Sequence, residues 1–319
     1  MTIEHRQIEL STGISMHVAE QGDGPPVVFV HGFPELWYSW RHQLPALAAA
    51  GLRGIAPDMR GYGRTSAPPN VEDYAHRLVC DDLVALLDAL SLEQAVFVGH
   101  DWGGAIVWAM ALHHPARVRA VAGINTPYRG QPPAPMLEMV KGRPGVWDYQ
   151  FYFQEPGVAE AELEADPERT MSLLLRSSDP ADRIDALRGT LSVRERGGML
   201  VGLPERPSRS IMLNAEDLAV FVEAFRATGF RGPLNWYRND RRNWEWGEES
   251  KEARISCPAL MVTAGKDPVL TPKLSEGMER VIPQLQRGHI EECGHWTQQE
   301  RPDELNRILL DWLAGLPPA

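Results

Sequence analysis

Short apolar runs and 3.6-residue periodicity divide the first third of the chain into alternating strands and helices. Val27-Val28-Phe29-Val30 follows Gly24-Pro25-Pro26 and predicts a buried strand that ends in the turn-rich His31-Gly32-Phe33-Pro34. A second short run, Gly54-Ile55-Ala56, leads into Pro57-Asp58 and the glycines Gly61 and Gly63. Val79, Leu83, Leu86, Leu87 and Leu90 recur at helical spacing with Asp81, Asp82 and Asp88 on the opposite face, which predicts an amphipathic helix. Ala95-Val96-Phe97-Val98 predicts another buried strand. It is followed at once by Gly99-His100-Asp101-Trp102-Gly103-Gly104 and a helical stretch from Ala105 to His113, and Arg119 to Ile124 supplies one more strand.

Strands that alternate with helices imply a mostly parallel sheet covered on both faces, an α/β fold. The rhythm breaks near Gln131, where prolines 132, 133, 135 and 144 precede helical-looking segments without clear strands. Two aromatic patches fall in this stretch. One is Trp147-Asp148-Tyr149-Gln150-Phe151-Tyr152-Phe153, and the other is Trp236-Tyr237 followed by Trp244 and Trp246. The α/β pattern returns at Pro258 to Thr263 and runs through Gly265-Lys266-Asp267 and Gly288-His289-Ile290 to a closing helix from Pro302 to Leu313. The expectation is one α/β core in two halves, residues 1–130 and 251–319, with a helical insertion at 131–250.

Composition narrows the function class. The 319 residues carry a net charge of −11 with no long Lys/Arg block, a poor match to nucleic acid or an anionic membrane. With 43% hydrophobic and 24% charged residues the chain is not disordered. Cys80, Cys257 and Cys293 cannot all pair with one another and form no CxxC, which argues against a disulfide framework or a cysteine zinc site and fits a reducing compartment. The N-terminus has no signal-peptide core, and the longest apolar stretches, such as Ala105 to Leu112, are far shorter than a bilayer span. The expected location is the cytoplasm, with no membrane anchor.

The most informative segment is Val96 to Gly104. A strand, Gly-His-Asp-Trp-Gly and then a helix is the context of a nucleophile elbow, whose small residues let strand and helix pack around a strained turn. Asp101 occupies the centre, where esterases have serine. On the pentapeptide alone, a plain helix N-cap is the stronger reading of Asp101. Its downstream partners favour the catalytic reading. Asp267 follows a predicted strand and His295 lies in Cys293-Gly294-His295-Trp296 before the last helix, in the order nucleophile, acid, histidine. Taken singly they would be a turn residue and a loop histidine. Asp267 would fix the tautomer of His295 and stabilise its charged form. The loop at His31-Gly32-Phe33-Pro34 normally supplies one oxyanion N–H and the residue after the nucleophile the other, here the backbone amides of Phe33 and Trp102.

Aspartate at the elbow limits the chemistry. Serine attack on saturated carbon would leave an ether, whereas aspartate attack leaves an ester that a histidine-activated water can hydrolyse. Epoxides and haloalkanes are substrates of that kind.

With these motifs the sequence resembles the soluble epoxide hydrolases of the α/β-hydrolase superfamily. The resemblance rests on His31 to Glu35, Gly99 to Gly104, Asp148-Tyr149-Gln150, Tyr152 to Glu164, Gly229 to Asn239, Gly288 to Glu291 and Cys293 to Trp296. The elbow is shared with haloalkane dehalogenases; the two tyrosine motifs are more specific. The resemblance implies Asp101 as nucleophile, His295 as base and Asp267 as its orienting acid. Tyr149 and Tyr237 would be donors to the epoxide oxygen from a cap, with Trp102, Gln150 and Trp296 in the substrate pocket. For Trp102 and Trp296 core packing stands as the other reading, and Tyr152 is expected to pack within the cap. Mammalian members carry an additional N-terminal phosphatase domain, to which nothing in this chain corresponds, so phosphatase activity is not implied. The expected partner is a small apolar epoxide and no cofactor or metal is implied; the chain would act as a monomer or homodimer.

Gly61-Tyr62-Gly63 with Ser66 lacks the third glycine of a dinucleotide loop. His113-His114 has no metal-ligand spacing and reads as the exposed end of a helix, and Arg238, Arg241 and Arg242, broken by Asp240, read as solvated surface. Two rivals remain at this stage: a haloalkane dehalogenase, which would need N–H donors for a halide and no tyrosine pair, and a catalytically silent ligand receptor on the same fold.

Overall fold

The computed structural model describes residues 2–141, 145, 147–184 and 192–317; Pro144 lies outside them. Eight strands form one sheet: β1 (Glu4–Glu9), β2 (Ser15–Gln21), β3 (Pro26–Val30), β4 (Arg53–Pro57), β5 (Ala95–His100), β6 (Val118–Ile124), β7 (Ala259–Ala264) and β8 (Leu285–Ile290). Their order is β1-β2-β4-β3-β5-β6-β7-β8. β2 pairs antiparallel with both β1 and β4, and every other pairing is parallel. Strands β5 and β7 are buried at every position, which is why they appear as unbroken apolar runs rather than alternating ones.

β1 and β2 precede the first strand visible in the hydrophobic pattern. In β1 only Ile8 is buried, and its charged residues suit an exposed sheet edge. β2 hides polar side chains inside the fold. Its His17 binds Asp58 at 2.7 Å, and its Glu20 binds Arg6 and Arg53.

Helices α1 (Gln43–Ala49), α2 (His76–Ala89) and α3 (Trp102–His113) connect the early strands. Between β6 and β7 the described residues hold only helices: α4 (Met136–Val140), α5 (Tyr149–Tyr152), α6 (Val158–Ala165), α7 (Pro167–Leu174), α8 (Val193–Arg196), α9 (Ala215–Thr228), α10 (Arg231–Tyr237) and α11 (Asp240–Gly247), with 3-10 turns. After β8 come α12 (Thr297–Glu300) and α13 (Pro302–Ala314). α3 starts so close to β3 that a Cβ on Gly103 would stand 2.0 Å from the carbonyl oxygen of Val30. Only glycine permits that approach.

Two expectations about surface residues fail. The Arg238 side chain is only 3% exposed and clamps Glu160 through two bonds of 2.6 and 3.0 Å, because its counter-charge comes from α6, far away in sequence. His113 is partly buried and stacks on Trp246 at 3.7 Å between ring centroids. Arg241 and Arg242 are exposed as expected.

Candidate active site

The C-terminal ends of five parallel strands converge on one place, the usual location of sites in open α/β sheets. β3 runs into His31 to Phe33, β5 into Asp101, β6 into Asn125, β7 into Asp267 and β8 into the loop carrying His295.

Asp101 has φ 52° and ψ −120°, a conformation that costs a non-glycine residue on the order of 1–3 kcal/mol. The strain is held by the start of α3, whose Gly104 N–H donates to the Asp101 carbonyl, and by Thr126 Oγ1, which donates to the same carbonyl at 2.7 Å. The Phe33 N–H donates to Asp101 Oδ1 at 2.8 Å, and the Trp102 N–H also donates to the carboxylate. A Cβ on Gly32 would lie 2.4 Å from Asp101 Oδ1, so the loop reaches the carboxylate only because residue 32 has no side chain. The loop itself is pinned by His31, whose Nε2 accepts the Met59 N–H while Nδ1 donates to the Gly32 carbonyl, each at 2.9 Å. Burial keeps that ring neutral by lowering its pKa.

His295 Nε2 stands 3.7 Å from Asp101 Oδ2, and its Nδ1 lies 2.8 Å from Asp267 Oδ2. Asp267 also accepts Asn125 Nδ2 at 2.7 Å and the N–H groups of Val269 and Leu270, both at 2.9 Å. Burial works against the charge on Asp267, but His295, Asn125 and the Leu270 N–H outweigh it and hold the carboxyl well below its ordinary range. Burial likewise opposes the charged His295 ring. The Asp267 carboxylate and its hydrogen bond, with Asp101 behind, reverse this and raise His295 to about 9. Burial dominates at Asp101 and raises its pKa despite His295, His100 and the two backbone N–H donors.

Beneath these groups lies a buried pair that the motif reading left without a role. His100 Nδ1 is 2.8 Å from Glu35 Oε2, and His100 Nε2 donates to the His295 carbonyl at 2.7 Å. Glu35 also accepts the Gly32 N–H at 2.9 Å and Gln298 Nε2 at 2.5 Å. Glu35 lies in the His31 to Glu35 motif and His100 in the Gly99 to Gly104 motif, but the two are distant from each other in sequence. Asn125 carried no signal at all.

The insertion brings aromatic side chains over Asp101. The Tyr237 ring is 5.0 Å from Trp102, 5.3 Å from Phe33, 5.0 Å from Phe153 and 5.9 Å from Tyr149, all edge to face. Burial first, and then the neighbouring Asp101 charge, push the Tyr149 phenol well above its ordinary pKa. At Tyr237, burial is joined by Tyr149 and Asp101 in the same direction. Gln154, which lies in the Tyr152 to Glu164 motif without a role assigned to it, ties the two tyrosine segments by donating to the carbonyls of Gln150 and Tyr237 at 2.8 and 3.1 Å. Gln150 is buried beside Tyr149. Tyr152 donates to Glu162 at 2.8 Å, a contact within the insertion. Trp102 is half-buried against Tyr237 and His76. Trp296 meets His295 edge-on at 4.6 Å and spends its indole N–H on the Leu174 carbonyl, which favours packing over pocket lining. Among the described residues no group of three or more His, Cys, Asp or Glu side chains could hold a metal ion, and no helix is long and apolar enough to cross a membrane.

Strand order, elbow and loop placement define an α/β-hydrolase, and the model of the alpha/beta hydrolase fold family matches residues 25–302. Curated relatives narrow this. Bifunctional epoxide hydrolase 2 of Sus scrofa is 53% identical over 312 residues, covering 98% of this chain and 55% of the relative. Epoxide hydrolase A of Mycobacterium tuberculosis is 43% identical over 96% of both chains. Among solved structures, Epoxide Hydrolase A from Mycobacterium thermoresistibile superposes with a TM-score of 0.88 at 40% identity, covering 100% of both chains. The chain belongs to the α/β-hydrolase superfamily and, within it, to the epoxide hydrolase family. It spans about half the length of the mammalian relatives it matches.

Proposed function

We propose that this protein hydrolyses epoxides to vicinal diols through a covalent ester on Asp101. Residues 131–250 would act as a cap over a core made of 1–130 and 251–319. The observation that carries the reading is the carboxylate at the elbow, with Oδ1 bonded to the Phe33 N–H, Oδ2 facing His295, and Tyr149 and Tyr237 near enough to feel its charge.

In the first step Oδ2 attacks an epoxide carbon. The C–O bond breaks, and the departing oxygen takes a proton from Tyr149 or Tyr237 while the other phenol donates a hydrogen bond. Raised pKa values keep both phenols protonated until charge develops on that oxygen. The ester carbonyl is then Oδ1, already held by the N–H groups of Phe33 and Trp102.

In the second step His295 Nε2 takes a proton from water, which attacks the Asp101 carboxyl carbon, and negative charge collects on Oδ1. Collapse expels the diol, protonated by His295, and the proton left on the Asp101 carboxyl passes to His295, which restores the resting ion pair. Ester formation removes the Asp101 charge and with it part of what keeps His295 protonated at neutral pH, so the imidazolium gives its proton to the tyrosinate left by the first step and is free to act as the base. The proposed substrate is a small apolar epoxide and the proposed location is the cytoplasm, in keeping with three free cysteines.

The test is diol formation from terminal, trans-disubstituted and fatty-acid epoxides, together with the mass of His295→Gln after exposure to the best of them. The expected mass gain equals one substrate on Asp101. Absence of both diol and adduct would favour a silent receptor. Halide release from a chloroalkane, unaffected by Tyr149→Phe plus Tyr237→Phe, would favour a dehalogenase.

A further inference from the structure

The loop that carries His295 is gripped by the insertion on both sides of the histidine. Before it, the Gly294 N–H donates to Glu300 Oε2 at 3.0 Å. The other oxygen of Glu300 accepts the Ser178 N–H at 3.1 Å and the Ser178 hydroxyl at 2.5 Å. After it, Trp296 Nε1 donates to the Leu174 carbonyl at 3.0 Å. Leu174 ends α7 and Ser178 follows four residues later, so one short segment of the insertion holds Trp296 directly and Gly294 through Glu300. The contact is close: a Cβ on Gly294 would meet Ser178 Cβ at 2.9 Å and Glu300 Oε2 at 3.0 Å. The core fixes the same loop from below, where His100 Nε2 and the Thr297 N–H donate to the His295 carbonyl at 2.7 and 2.9 Å.

We propose that Glu300 is a positioning residue that, through Ser178 and Gly294, couples the seating of the cap to the placement of the His295 ring. The proposal rests on the epoxide hydrolase reading above. Its consequence is selective for one step. Attack on the epoxide uses Asp101 and the two tyrosines, which are held by other ties: Gln154 between the tyrosine segments and Arg238 on Glu160. Hydrolysis of the ester needs His295 Nε2 aimed at a water beside the Asp101 carboxyl carbon. The 3.7 Å separation of that nitrogen from Asp101 Oδ2 leaves no direct bond to keep it there. A ring displaced by a fraction of an ångström loses its line to the water, and a misplacement of about 1 Å can cost on the order of 10²-fold in rate.

Glu300→Gln puts an N–H₂ group where three donors converge and so opposes at least one of them, while Ser178→Ala removes one donor and leaves the rest. The experiment is rapid-quench mass spectrometry with styrene oxide, following formation and decay of the alkyl-enzyme, with thermal melts alongside. Glu300→Gln should slow decay about tenfold or more and leave formation within about twofold, so that alkyl-enzyme accumulates at steady state. Ser178→Ala should slow the same step less, and carries the test if Glu300→Gln does not fold. Decay at the wild-type rate in the folded variant, or equal slowing of both steps, overturns the proposal alone. Failure of His295→Gln to form any alkyl-enzyme overturns the hydrolase reading and the proposal with it.

Discussion

Replacing Asp101 by Asn mimics the charge change that ester formation would bring about, and its effect on His295 can be worked from the geometry. A unit charge on Asp101 Oδ2 lies 3.7 Å from His295 Nε2. At an effective dielectric of about 20 that separation corresponds to about 4 kcal/mol, or about 3 pK units as a ceiling. Asp267 stands ahead of Asp101 among the influences that raise His295, so the share lost in Asp101→Asn is smaller, about one to two units. His295 should then titrate below its native value of about 9 and be substantially neutral at pH 8. Ring nitrogen shifts in ¹⁵N-labelled protein measure this directly, with His295→Gln identifying the resonance. The same coupling sets a stability profile. A histidine raised from 6.5 to about 9 stabilises the fold fully below pH 6.5 and loses that contribution as pH rises through about 9. Asp101→Asn should flatten that decline. A His295 resonance that titrates at the wild-type pH in Asp101→Asn would refute the reasoning, since the release of the base would then have no electrostatic origin.

Tyr149→Phe and Tyr237→Phe should each slow alkylation on the order of 10²-fold, with the double variant close to inactive in single-turnover assays. Gly32→Ala should abolish turnover while the protein still folds, because the new methyl group displaces the Phe33 N–H from Asp101 Oδ1; activity and circular dichroism measured together check this.

Much of the fold could be read from the chain because four of the five strands that lead into the site, all but β8, are buried on both faces. β3, β5, β6 and β7 announced themselves as apolar runs for that reason. β1 and β2 did not, since β1 is a charged edge and β2 buries His17 and Glu20 against Asp58, Arg6 and Arg53. The same contrast runs through the site. Asp101, Asp267 and His295 follow the order of turns along the chain, which local sequence records, and the structure brings the three side chains together. Glu35 and His100, Asn125 and Asp267, and Arg238 and Glu160 satisfy buried charge across long sequence separations, and no local pattern encodes such pairs. Arg238 reads as surface in the sequence for that reason.

A single turnover in ¹⁸O-water, with enzyme in excess over the epoxide, tests the central claim most directly. If Asp101 supplies the attacking oxygen, the first diol released is unlabelled and the ¹⁸O is found in a peptide containing Asp101. A first-turnover diol that carries a full equivalent of ¹⁸O, with Asp101 unlabelled, would mean that water attacks the epoxide itself and would contradict the covalent mechanism.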